Sequence, residues 1–194
     1  MRSDSAKLGR ADGLGIKGCI FSGNTLEWFC WGKGADVGLE TTFQIRNAYR
    51  NEWQEAMELA WRTFLRFEAD VYTPEGVKNF ENFITDSTLH RMFVMGTYQL
   101  VVALKRNKIV GMITLRDSSH ISLLFVDEVY HRRGIGRALV KYLTDYLLEE
   151  VGVYRVTVNA SPYGVGFYHK MGFRDVGPEE TKDGIIYTPM EFIL

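Results

Sequence analysis

The apolar positions along the chain fall into a few regular patterns. From Thr41 to Tyr49 they alternate, with Phe43 and Ile45 on one side, which predicts a first strand. A helical period follows, in which Trp53, Met57, Ala60, Trp61, Phe64 and Leu65 form one apolar face. Asn51 is placed to cap that helix, and Glu52 and Glu55 sit near its positive end. Tyr72-Thr73-Pro74-Glu75-Gly76 breaks the chain, and Thr73 before Pro74 starts a second, short helix through Val77, Phe80, Phe83 and Ile84. Met92 to Met95 is too short to assign. Tyr98 to Leu104 and Ile109 to Arg116 are β-rich runs joined by Lys105-Arg106-Asn107-Lys108, an antiparallel hairpin with a basic tip.

The stretch from Ile121 to Val151 organises the rest. Ile121 to Val126 is an apolar run of strand length, and after a polar interval it reaches His131-Arg132-Arg133-Gly134-Ile135-Gly136-Arg137-Ala138. There a helical period opens, with Leu139, Tyr142, Leu143, Tyr146 and Leu147 on one stripe. The helix has to return the chain to a parallel strand at Tyr154 to Val158. Gly184 to Leu194 then gives a last strand after the polar interval Pro178 to Asp183. Alternating strands and helices make the fold class α/β, with a mixed sheet.

The turn at the head of that helix carries the clearest chemistry. The first N–H groups of a helix lack intrahelical partners and lie at the positive end of its dipole, so they suit a phosphate or pyrophosphate. Gly134 and Gly136 leave room for close approach, and Arg132, Arg133 and Arg137 add positive charge. The turn is not a dinucleotide fingerprint, because Leu139 stands where a third glycine is needed. It is not a P-loop either, since no Gly-Lys-Ser or Gly-Lys-Thr occurs.

Composition narrows the picture. At 194 residues the chain suits one domain with a substantial core, and its net charge of -1 gives no support to nucleic-acid or bulk membrane attraction. No apolar run approaches the roughly 18 to 20 residues that span a bilayer. Cys19 and Cys30 are the only cysteines, with no metal-type cluster, so no metal is expected and a cytoplasmic protein is the default. Residues 1–40 are rich in Gly and polar residues and are expected as a flexible extension, with one apolar cluster at Trp28-Phe29-Cys30-Trp31. Residues 41–194 form the domain.

Residues His131 to Gly136 resemble the coenzyme A motif of the GCN5-related N-acetyltransferases, Arg/Gln-x-x-Gly-x-Gly/Ala, with His131 in the Gln or Arg place. The resemblance extends to Asn159-Ala160 and to Gly166-Phe167-Tyr168-His169-Lys170-Met171-Gly172-Phe173, similar to a second family signature. It implies a mixed sheet of six to seven strands flanked by about four helices, and acetyl transfer from acetyl-coenzyme A straight to a primary amine of a small molecule, protein or peptide. Phe125 and Val126 would then offer backbone groups to the pantetheine arm, the turn of Arg132, Arg133, Gly134, Ile135, Gly136, Arg137 and Ala138 would hold the pyrophosphate, and the Asn159 amide would hold the arm.

Tyr168 would protonate the leaving sulfur, a role that suits a phenol with a pKa of about 10. His120 matches the place of a base in arylalkylamine-type members, with Glu68, Asp127 or a water chain as competitors. Glu68, Asp70 and Tyr72, in the loop that covers the acceptor site in that family, could contact a cationic amine. Two other readings stay open: a non-catalytic acyl-coenzyme A sensor, and a toxin-like transferase acting on aminoacyl-tRNA, which the near-neutral charge disfavours. The last strand could pair across a homodimer.

Overall fold

Apolar runs without polar interruption belong to strands buried on both faces. The central strands follow that rule in the computed structural model, which describes residues 19–22, 25–28 and 43–194. The strands are β1 (Cys19–Ser22), β2 (Thr25–Trp28), β3 (Phe43–Asn47), β4 (Gln99–Lys105), β5 (Lys108–Arg116), β6 (His120–Val126), β7 (Arg155–Ala160), β8 (Arg174–Asp175), β9 (Glu180–Lys182) and β10 (Ile185–Ile193). The helices are α1 (Trp53–Phe67), α2 (Pro74–Thr85), α3 (Ser87–Met95), α4 (Ile135–Tyr146) and α5 (Val165–Lys170).

The strands lie in the order β1-β2-β3-β4-β5-β6-β7-β10-β8, with β9 pairing to β10. Every pairing is antiparallel except β6 with β7, which the α4 crossover makes parallel. One face of the sheet is covered by α4 and α5, with Leu139, Val140, Leu143, Tyr168 and Phe173 packed among Val101, Ala103, Ile113 and Val156. The other is covered by α1, whose Trp53, Met57, Leu59, Ala60 and Phe64 meet Leu100, Val102, Met112, Leu123 and Phe125. Burying a side chain of this size contributes about 1.5–3 kcal/mol, so the two layers hold the sheet from both sides.

The mixed sheet flanked by helices matches the sequence expectation, and the local details differ in physically clear ways. Asn51 does not cap α1. A 3-10 turn at Arg50–Glu52 precedes the helix, and Glu52 instead accepts from the Tyr49 N–H (2.7 Å) and from both arms of Arg46 (2.7 and 2.8 Å). The stretch containing Met92–Met95 is the end of α3, begun by Asp86 accepting from the Thr88 N–H and stopped at Gly96 in a left-handed conformation. At α2 the expected cap is present, with Thr73 accepting from the Gly76 N–H at 3.1 Å. Of residues 1–40, β1 and β2 form a hairpin that pairs to β3 through Leu26↔Ile45, Glu27↔Gln44 and Trp28↔Phe43. The rest of that extension, with Phe29-Cys30-Trp31, lies outside the described residues. Among the described residues no helix is long and apolar enough to cross a membrane.

The β9–β10 hairpin bends over to meet the start of α2, and two glycines make this possible. A Cβ at Gly76 would stand 2.1 Å from the Gly184 carbonyl oxygen, and one at Gly184 would stand 2.3 Å from Thr73 Oγ1. Asn79 Nδ2 donates to the Asp183 carbonyl (2.8 Å), and Tyr72 donates to the Ile186 carbonyl (3.2 Å). Gly76→Ala is therefore expected to lower stability by about 1–3 kcal/mol, the usual cost of forcing extra volume into a filled contact. Urea unfolding measures it, and an unchanged midpoint would count against this contact.

Candidate active site

The central feature is a parting of strands. β6 and β7 pair only at His120↔Thr157 and Ile121↔Val158, and beyond that they diverge. A bulge in β6 marks the same place: Leu115 pairs Ile121 and Thr114 pairs Leu123, which leaves Ser122 as the extra residue. The bulge turns Ile121 into the α4 layer while Leu123 and Phe125 enter the α1 layer.

The Asp127 N–H donates to the Val110 carbonyl at 2.9 Å, and Val126 stands opposite Gly111. In an antiparallel ladder that arrangement points the backbone groups of Val126, and by alternation of Leu124, away from β5 and into the gap. Those of Phe125 face β5, opposite Met112. Of the two residues expected to offer backbone groups here, Val126 faces the gap and Phe125 does not; Phe125 lines the cleft wall, and Leu124 is the other residue facing the gap.

The gap opens into a cleft of about 730 Å³ between α1, α2, β6, β7 and the β9–β10 hairpin. Phe64, Phe80, Phe83 and Phe125 give it apolar walls. Asn159 lines it from β7, one residue past the last β6–β7 pair and opposite Pro189 of β10.

At the far end of β6 the chain enters the glycine turn. Arg132 (φ 61°) and Gly134 (φ 83°) are both left-handed, and Gly134 caps α4 with no side chain bonded to the helix end. A left-handed residue is cheap only as glycine, which is why Gly134 stands there. The N–H groups of Ile135, Gly136 and Arg137 belong to the first turn and have no intrahelical acceptor. The Ile135 side chain is buried in the core, so it contributes its backbone alone. A Cβ at Gly136 would lie 3.4 Å from the Phe167 ring. The side chains of Arg132, Arg133 and Arg137 are exposed, and none of them is ion-paired among the described residues. Arg133 lies over the Tyr130 ring at 5.6 Å. Ala138 closes the turn through its N–H to the Gly134 carbonyl at 2.9 Å.

His131 has a definite place in this arrangement. One ring nitrogen, Nε2, is 2.7 Å from the Val126 carbonyl oxygen, and the ring packs on Phe67 at 4.8 Å. It ties the turn to the end of β6 and occupies one of the two Val126 groups that face the gap, so the Val126 N–H is the one left for a ligand.

Deeper in the cleft, four residues converge from three elements. Tyr168 of α5 is 5 % exposed and lines the cleft, and burial together with the nearby Glu68 charge pushes its phenol well above the usual value. Glu68 is raised above the usual carboxylate range, chiefly by burial, while hydrogen bonds from Ser161 and Tyr72 oppose the shift. The Tyr72 hydroxyl is 3.5 Å from Glu68 Oε2, and its own pKa is also raised by burial and by Glu68. Ser161, just past β7, was not singled out by its sequence; Ser161 Oγ accepts from the Gly164 N–H at 3.2 Å and so links the α5 turn to Glu68.

His120 stands apart from this group, at the other end of β6, with Nδ1 2.9 Å from Thr157 Oγ1. Burial and the Arg116 charge push it down to about 4. It is therefore neutral at pH 7 but not the near-neutral titrating imidazole expected of a base. Asp127 is taken up elsewhere, paired with Arg62 at 2.7 Å.

Comparison with known proteins fits this geometry. A sequence model described as an acetyltransferase (GNAT) domain matches residues 68–194. A GCN5-related N-acetyltransferase structure from Rhodopseudomonas palustris superposes with a TM-score of 0.67 at 21 % identity, covering 77 % of this chain and 94 % of that one. The PaiA N-acetyltransferase of Thermoplasma acidophilum, solved in complex with coenzyme A, gives 0.65 at 17 % identity, covering 78 % and 99 %. YncA, a putative acetyltransferase from Salmonella typhimurium solved with acetyl-coenzyme A, gives 0.59 at 16 %, covering 78 % and 93 %. With the domain match, the split sheet and the glycine turn in agreement, this chain belongs to the GNAT acetyltransferase family.

Proposed function

We propose that this protein transfers the acetyl group of acetyl-coenzyme A directly to the primary amine of a small molecule. The observation that carries the reading is the free edge of β6, with the unbonded Val126 N–H, set between the Gly134 turn and the buried Tyr168. A pyrophosphate fits the first-turn N–H groups and the three exposed arginines. A pantetheine arm, which carries two amides, fits the gap as an added strand along Leu124 and Val126, with Asn159 opposite. Acetyl-coenzyme A supplies a thioester, the activated acyl group.

The chain's own residues then divide the work. The Val126 N–H is placed to polarise the thioester carbonyl, in the manner of an oxyanion hole. Tyr168 keeps its proton at any physiological pH because burial and Glu68 disfavour the phenolate, so it can give that proton to the departing sulfur. The acceptor enters from the His120 end, beneath the bridge made by α2 and the β9–β10 hairpin. A bridged entry with phenylalanine walls suits a slim amine on an apolar stem, and for this reason we favour a small molecule over a lysine on a folded protein surface.

Acetyl-coenzyme A is expected to raise the melting temperature of the wild type and to leave Gly134→Glu unmoved. Free thiol release across a panel of small primary amines should fall by roughly 10²-fold or more in Tyr168→Phe, which should keep its stabilisation by acetyl-coenzyme A. Stabilisation with no thiol released for any amine would sink the catalytic reading.

His120 gives a separate pH test. Its folded pKa of about 4 lies below its ordinary 6.5, so protonation favours the unfolded chain and stability is lost as pH falls from 6.5 towards 4. The imidazole proton resonances should show no titration near neutrality, and His120→Gln should flatten the loss of stability on acidification. A His120 midpoint near 6.5 would contradict the buried, Arg116-facing environment.

A further inference from the structure

We propose that Glu68 is the general base that removes a proton from the acceptor's ammonium group, an assignment that rests on the acetyl-transfer reading above. Its carboxylate lines the cleft from the loop between α1 and α2. Facing it are Tyr72 from the same loop, Ser161 from the end of β7 and Tyr168 from α5. The other charged or titratable groups of the cleft are Glu75 of α2, Arg116 and His120 at the facing ends of β5 and β6, and Lys182, Asp183 and Tyr187 of the β9–β10 hairpin.

Among the described residues no cation pairs with Glu68. The arginines nearest to it along α1 are committed elsewhere, Arg62 to Asp127 at 2.7 Å and Arg66 to Glu128 at 3.4 Å. A half-buried carboxylate without a cation carries a desolvation cost, and the cleft it lines has room for one. An acceptor ammonium supplies that missing charge, so the same group can draw the amine in and then deprotonate it.

The chemistry balances within these residues. One ammonium proton passes to Glu68, and the freed lone pair forms the C–N bond as the C–S bond breaks. Tyr168 protonates the leaving sulfur and recovers a proton from the nitrogen, which sheds its second as the amide forms. Glu68 then returns its proton to water. A carboxylate raised by burial is better matched to this transfer than an imidazole lowered to about 4.

The test is the pH profile of Glu68→Gln beside Glu68→Asp, with the best acceptor from the amine panel. At pH 7, kcat/KM of Glu68→Gln should fall roughly 10²–10⁴-fold, with the stabilisation by acetyl-coenzyme A unchanged. That gap should narrow about tenfold per pH unit as the solution approaches the pKa of the amine, because the variant uses only amine already deprotonated in water. Glu68→Asp should recover part of the loss. An equal loss at every pH, or loss of acetyl-coenzyme A stabilisation, would overturn the assignment and leave Glu68 a structural group. Wild-type protein that turns over no amine would instead overturn the reading on which the assignment rests, and the wild-type assay comes first for that reason.

Discussion

Once β6 leaves β7 after Ile121, the backbone groups on its free edge need new partners, since buried N–H and C=O groups are costly when unpaired. The protein meets this demand only in part. The imidazole of His131 takes the Val126 carbonyl, and the Val126 N–H is left facing the gap beside β6. The free edge has the hydrogen-bonding capacity of a strand with no strand beside it, which is the right receptor for an extended ligand bearing amides. The rest of the site is arranged around that edge: the glycine turn lies past one end, His120 stands at the other, and Tyr168 lines the cleft alongside.

Keeping such a gap open requires the sheet to be held firmly elsewhere. α4 packs across one face and α1 across the other, and β7 keeps a full antiparallel partner in β10 through six residue pairs from Thr188↔Ala160 to Ile193↔Arg155. Glu191 of β10 is bonded by Arg155 (2.6 Å) and Arg174 (2.8 Å), which ties β7 and β8 to β10 on the side away from the gap. The strands can therefore part at Ser122 without the domain coming apart.

Much of this was readable from the sequence where the cause is local. Gly134 at φ 83° and the helix that opens after it are encoded in eight consecutive residues. The Thr73-Pro74 start of α2 is equally local, and so is the alternation that buries Phe43 and Ile45. The bulge at Ser122 was not readable, because Ile121, Leu123 and Phe125 at alternate positions look like one uninterrupted face. α3 is hard to read because four of its apolar residues, Met92 to Met95, form one run at its end rather than a helical stripe, although Asp86 and Gly96 mark its ends. The environments of the titratable groups depend on residues far apart in the chain. Glu68 meets Ser161 and Tyr168 only once β7 and α5 are in place, and the lowered pKa of His120 follows from burial that no spacing announces.

Electrostatic conditions change along β6. At its start, burial and the Arg116 charge lower the His120 pKa, so Arg116 and, from the β9–β10 hairpin, Lys182 are the cleft's cations there. Across the cleft, from the loop between α1 and α2, Glu68 offers a negative charge with no cation of its own among the described residues. Past the end of the strand, the helix dipole and three arginines offer positive charge. On the proposed reading a cationic acceptor would be drawn towards Glu68, and a polyanionic donor would be held at the turn. The negative charge at Glu68 and the positive charge at the turn would thus sort the two ligands, with the buried Tyr168 lining the same cleft as Glu68.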